Sequence, residues 1–115
     1  MNLKPLPKHV RVYEISGPLF FGATDQIAAI DFSKNTKVII MRMRSVPALD
    51  ASAMHTLEEF YGRCKNAGIQ LVFSHVNEQP MHTMQKGGFV ELIGKENFRP
   101  HIDDAVDWAG ELVKK

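Results

Sequence analysis

Cysteine is almost absent from this chain. A single residue, Cys64, stands among 115, so no disulfide can close within it and the composition fits a reducing compartment, with a cytosolic setting as the default expectation. Long hydrophobic runs are missing too. The apolar stretch Val38-Ile-Ile-Met41 ends at Arg42, far short of the ~18 residues a membrane helix needs. The start, Met1 to His9, carries Lys4, Pro5, Pro7 and Lys8 but no apolar core, which argues against a signal peptide or membrane anchor and reads as a linker or an entering edge strand. Nor is there an excess of one charge. Fourteen Lys and Arg against thirteen Asp and Glu give a net charge of +1, without the global positive field that draws a protein onto nucleic acid.

What is present describes one compact domain: 44% hydrophobic and 23% charged residues, enough to bury a core without metal or disulfide. No repeat or low-complexity tract interrupts it. Charge is unevenly placed. Lys4, Lys8 and Arg11 precede any acid, whereas Asp103, Asp104, Asp107 and Glu111 have no base between them.

The segment Val10-Arg-Val-Tyr-Glu-Ile15 is rich in β-branched and aromatic residues and stops at Ser16-Gly17-Pro18, the pattern of a strand and its turn. Ala23, Ile27 and Ile30 then recur at helical spacing, predicting a short amphipathic helix up to about Phe32. Residues 37–43 open with four consecutive apolar residues, as a central strand covered on both faces would. From Asp50, the stripe Met54, Leu57, Tyr61 and Cys64 predicts a helix ended by Gly68. Residues 69–73 read as another short strand, and Pro80, Met81 and Met84 before Gly87-Gly88 as a Pro-started helix. A minor strand is expected within residues 89–98. Ile102, Ala105, Val106, Ala109, Leu112 and Val113 place one apolar face on a final helix, with acids in its first turn and Lys114-Lys115 at its end. Strands alternating with about four helices on short connections make an α/β fold with a small, mostly parallel or mixed sheet.

Enzymatic and metal chemistry find little support. His9, His55, His75, His82 and His101 are scattered without zincin or zinc-finger spacing, and Cys64 lacks a CxxC companion, so no metal site is expected. Cys64 lies on the apolar stripe of its helix and reads as a small buried hydrophobe rather than a nucleophile. Gly88 to Gly94 is one residue too long for a phosphate-cradling P-loop, and Glu96 replaces the Ser or Thr that should follow Lys95. No cofactor and no catalytic residue is predicted, because no nucleophile, base and oxyanion donors converge. Met41, Met43, Met81 and Met84 fall on strand and helix faces and read as core filling. Trp108 sits beside the apolar stripe of the last helix, where partial burial is common.

One segment rises above this background: Val46-Pro-Ala-Leu-Asp-Ala-Ser-Ala-Met54, a strand end feeding a helix N-terminus, where open α/β sheets dock ligands and partners. Asp50 is placed to cap that helix by taking up an orphan N–H. Ser52, in the first turn, is the hydroxyl whose phosphorylation the helix N-terminus would accommodate, with the Asp50 carboxylate opposing the added charge.

With these residues the chain resembles a STAS domain, the fold of anti-sigma-factor antagonists and of the cytoplasmic C-terminal regions of SulP-type anion transporters. Residues 12–23, Val-Tyr-Glu-Ile-Ser-Gly-Pro-Leu-Phe-Phe-Gly-Ala, are similar to the SulP branch in particular; residues 38–59 carry the rest of the resemblance. It implies a regulatory, protein-interacting domain of an anion transporter of the sulfate permease type, on the cytoplasmic face of the plasma or bacterial inner membrane. Asp50, Ala51, Ser52, Phe20 and Phe21 would form its docking surface. Its partners would be the membrane domain of the same transporter or a cytosolic regulatory protein, with residues 4–11 as the linker from the last membrane helix, where basic residues are expected. Dimerisation is compatible with it; nucleotide binding, proposed for some such domains, has no supporting motif here. The alternative it implies is a free-standing antagonist that binds an anti-sigma kinase. Against that stands Ala51, which occupies the phospho-acceptor position of the antagonists and has no hydroxyl, while Ala53 replaces their glycine.

Overall fold

The computed structural model describes residues 5–19, 25–32 and 35–114. Their elements run β1 (Val10–Ser16), α1 (Asp25–Ala28), β2 (Val38–Ser45), α2 (Ala51–Asn66), β3 (Gln70–Ser74), α3 (Glu78–Lys86), α4 (Phe89–Ile93), a single 3-10 turn (Lys95–Asn97), β4 (Phe98–Arg99) and α5 (Ile102–Val113). The four strands form one sheet in the order β1-β2-β3-β4, and every pairing is parallel. Successive crossovers of one hand carry α1 to α4 onto one face, so the sheet grows in one direction. The opposite face is covered by α5.

Two cores result. Ile39, Met41, Met43, Leu71 and Phe73 pack with Ile27, Leu57, Phe60, Met84 and Phe89 beneath α1 to α4. Val10, Val38, Ile40 and Val72 pack against Ala105, Val106, Ala109 and Leu112 of α5. The apolar run of β2 therefore serves both faces, as its lack of alternation predicts. Phe73 anchors the larger core: the Phe98 ring stacks on it at 5.1 Å and Phe89 meets it edge-on at 5.8 Å. Met41, Met43 and Met84 are fully buried and fill core space, while Met81 is half-buried against it.

Three local expectations need correction. The helix expected to reach Phe32 ends at Ala28, although Ile27 and Ile30 are both buried. Beyond it the chain is held by tertiary contacts: Arg63 donates to the Ile30 carbonyl at 2.9 Å and lays its guanidinium over the Phe32 ring at 5.1 Å. The start of that expected helix, Ala23, lies outside the described residues. Where a minor strand was expected, residues 89–93 are helical and only Phe98–Arg99 pair as a strand. Phe89, Val90 and Ile93 are the buried positions, a one-and-four spacing that suits a helical turn more than a strand. Gly88 and Gly94 bracket that turn in left-handed conformations, which the absence of a side chain permits. The third helix starts at Glu78 rather than Pro80. Residues 5–9 form no strand and lead directly into β1.

Trp108 is engaged within the domain. Its indole N–H donates to Asn97 Oδ1 at 2.8 Å, and the Arg99 guanidinium lies 4.5 Å above its ring, tying α5 to β4.

Candidate functional site

The site is built at the carboxyl end of β2. Past Ser45 the chain cannot fray outward, because Val46 and Leu49 are buried, while Pro47 between them stays exposed. Main-chain bonds extend the β1–β2 pairing into this segment: Gly17 N–H donates to the Ser45 carbonyl at 2.9 Å, Leu19 N–H to Ala48 at 2.9 Å, and Asp50 N–H to Leu19 at 3.1 Å. Leu19 and Leu49 form an isolated parallel bridge. The base of the β1–α1 turn thus lies beside the Asp50 loop, as the resemblance implies. Phe20 and Phe21 themselves lie outside the described residues.

Asp50 caps α2 as expected, extended in backbone and accepting the Ala53 N–H at 3.0 Å. The next two side chains, Ala51 and Ser52, are exposed on the first turn, whereas Ala53 and Met54 turn inward. Asp50, Ala51 and Ser52 share one corner of the molecule because they are consecutive at the N-terminus of α2.

The sequence reading missed the residues that hold this corner from the other side. Asn77 Nδ2 donates to the carbonyls of Arg44 at 3.1 Å and Val46 at 2.9 Å. Gln79 takes both main-chain groups of Leu49: its Oε1 accepts the N–H at 2.9 Å and its Nε2 donates to the carbonyl at 3.2 Å. Gln79 Nε2 also donates to Thr83 Oγ1 at 3.1 Å. Leu49 faces the position of a neighbouring strand, and a glutamine amide supplies the donor and acceptor a strand would have offered. The signal was an Asn at the N-cap of α3 whose side chain makes no capping bond because β2 claims it.

Between α2 and α3 this leaves a groove of about 630 Å³ lined by Leu49, Asp50, Ala51, Met54, Glu58, Gln79, His82, Thr83, Lys86 and Gly87. It continues over α3 into a second depression of about 620 Å³ at Glu78, Gln79, Met81, His82 and Gln85. Its lining carries both signs of charge, from Asp50, Glu58 and Lys86, together with Met54. Cys64 is buried on the apolar stripe of α2, and burial pushes its thiol pKa up to about 12, so it is no nucleophile. Among the described residues no three His, Cys, Asp or Glu side chains are grouped to hold a metal, and no helix is long and apolar enough to cross a membrane.

A sheet of parallel strands with helices on both faces defines a small α/β domain. Its family is equally plain: the sequence profile of the STAS domain matches residues 4–105, and the chain belongs to that family. It is 41% identical over 114 residues to the probable sulfate transporter 4.2 of Arabidopsis thaliana, covering 99% of this chain and 16% of that protein. In structure it is similar to a sulfate transporter family protein from Wolinella succinogenes, with a TM-score of 0.88, 39% identity, and 97% of this chain and 93% of that one covered. It is also similar to the STAS domain of a SulP transporter from Vibrio cholerae, with a TM-score of 0.79, 28% identity and coverage of 96% and 88%. The chain spans 16–18% of the length of the curated relatives it matches, all of them named as sulfate transporters.

Proposed function

We propose that this chain is the regulatory, protein-interacting domain of a SulP-type anion transporter of the sulfate permease type, acting at the cytoplasmic face of the plasma or bacterial inner membrane. The observation that carries this reading is the corner formed by Asp50, Ala51 and Ser52, fixed from both sides by Leu19 and by Gln79, beside a groove of mixed charge. A surface held this firmly binds without a large ordering cost, so differential contact with two states of a membrane domain, or with a cytosolic protein, shifts their populations. Transport itself belongs to residues outside this domain. Phe20 and Phe21, next in the chain after Leu19, enter the proposal by sequence adjacency alone.

The test uses the full-length transporter. Ala51→Arg places a bulky charge on an exposed position while leaving the Asp50 cap in place. Anion uptake by membranes carrying this variant should fall or change its regulation, with membrane-inserted protein unchanged on an immunoblot. Uptake identical to that of the parent protein would refute docking at this corner. The same immunoblot separates the antagonist alternative: a soluble band of the size of this domain in native cells would favour a free-standing partner of a kinase. Phosphopeptide mapping would show whether Ser52, exposed on the second residue of α2, is modified in the cell.

A further inference from the structure

The two ends of the parallel sheet carry opposite charge. Helices leave the carboxyl ends of the strands, and there Asp25, Asp50, Glu78, Asp103 and Asp104 stand at the starts of α1, α2, α3 and α5. The amino ends collect cations. Main-chain bonds fix three of their segments side by side: the Lys37 N–H donates to the His9 carbonyl at 2.8 Å, and the Gln70 N–H to the Lys37 carbonyl at 2.9 Å. Lys8, Arg11 and Lys37 are exposed at the starts of β1 and β2. Lys65, in the last turn of α2, shares a depression of about 340 Å³ with Gln70 and Asn97, and Lys95 opens the turn that Asn97 closes. Helix α5 returns along the sheet to the same end. Pro7 lies against it, 3.5 Å from where a β-carbon on Gly110 would stand, and Lys114 is its C-cap. The carboxylates on or beside these segments are Asp31, Glu96, Asp107 and Glu111, the last 4.0 Å from Lys114. Among the described residues, Lys86 is the one lysine that stands elsewhere. Lys4, Lys34 and Lys115 adjoin Pro5, Asn35 and Lys114 in the sequence and join this end by adjacency alone.

Helix dipoles account for part of this polarity. Acids at helix starts, and Lys65 and Lys114 at helix ends, each complement the nearest dipole. Lys8, Arg11, Lys37 and Lys95 lie outside the α-helices, so no dipole calls for them. Apolar side chains mark the same end. Leu6, 41% exposed, stands between Pro5 and Pro7, and Leu92, 53% exposed, adjoins Ile93, which lines the depression beside Lys65. Ammonium groups interspersed with protruding leucine match an anionic bilayer surface, whose phosphates attract the cations while the apolar side chain enters the headgroup layer. A nucleic acid would use the cations alone and leave the leucines in water. We propose that the amino end of the sheet is a membrane-docking surface, which lays Lys8, Arg11, Lys37, Lys65, Lys95 and Lys114 against anionic lipid headgroups and inserts Leu6 among them. The Asp50 corner lies at the opposite end of the strands, so the two surfaces do not overlap, and this one stands whether or not that corner docks a protein.

The test is flotation of this chain with vesicles of phosphatidylglycerol and phosphatidylcholine in equal parts, and with vesicles of phosphatidylcholine alone. The chain should float with the anionic vesicles only, and raising salt from about 0.05 M to about 0.5 M should release it. Each cation near the surface contributes on the order of five-fold to partitioning, so Lys8→Gln, Lys37→Gln and Lys65→Gln together should lower it on the order of 100-fold. All three side chains are exposed, and a circular dichroism melt of the triple variant checks that its fold is kept. Leu6→Ser should weaken flotation several-fold at unchanged charge. Equal flotation with both vesicles, none at low salt, or unchanged flotation of either variant would each overturn the proposal. So would release of the chain from the vesicles by duplex DNA at equal phosphate, which would assign this end to nucleic acid.

Discussion

Gln79 grips Leu49 by both of its main-chain polar groups, at 2.9 Å and 3.2 Å, across 30 residues of sequence. Leu49 is 1% exposed, so no solvent can replace the glutamine there. Gln79→Leu keeps the bulk and removes both partners, and it should cost about 1–3 kcal/mol of stability. Gln79→Glu retains an acceptor for the N–H and loses the donor, and it should fall between. Urea unfolding of the three proteins would check the order; equal midpoints would mean that the clamp contributes nothing.

Asp50→Ala removes the cap of α2 and should lower stability by about 1 kcal/mol, with Asp50→Asn near neutral. The same substitution frees the loop that presents Ala51 and Ser52. Amide exchange at Ala53, whose N–H loses its acceptor, should accelerate in Asp50→Ala more than at Leu57 one turn on.

The Glu14–Arg44 pair sets a pH dependence whose sign is fixed. Its hydrogen bond and the positive charge of Arg44 hold the Glu14 carboxyl below its ordinary pKa, against a smaller desolvation. A depressed carboxylate contributes stability that is present above the unfolded-state pKa of about 4.3 and is lost as pH falls through the lower folded value. Both side chains are over a third exposed or nearly so, 39% and 34%, so the contribution is small and salt-sensitive. Glu14→Gln should flatten the fall in urea midpoint between about pH 5 and 3, and 1 M salt should shrink the difference between the two proteins.

Cys64 should be silent toward thiol reagents in the folded chain. Burial raises its pKa to about 12, whereas an unfolded thiol titrates near about 8.5. The neutral thiol is the buried form, so its stabilisation is complete below about pH 8.5 and declines as pH rises toward the folded value. At pH 8, disulfide-exchange reagents should label it only at the rate of unfolding; rapid labelling under native conditions would contradict its place in the core.

The parts of this molecule that were legible in the sequence are those whose reason is local. The unbroken apolar run of Val38 to Met41 foretold a strand buried on both faces, the stripe from Ile102 to Val113 foretold α5, and Asp50 foretold a cap, because each depends on spacing within a few residues. The minor strand expected within residues 89–98 is confined to Phe98–Arg99, because residues 89–93 between Gly88 and Gly94 form a helical turn. The shortened α1 was not legible, since the stretch beyond Ala28 is held by Arg63 of another helix.

Composition, periodicity and capping chemistry determined the class of fold, the central place of β2 and the position of the Asp50 turn. Only the tertiary structure decided that Asn77 and Gln79 lock that turn from 30 to 33 residues away, and that Glu14, Arg42, Ser74 and Arg99 line up across four strands. A strand's sequence says which side chains share a face, but not which residue of the next strand stands opposite. That register is fixed when the two cores close on either side of the sheet, and the polar row and the clamped corner are consequences of that closure.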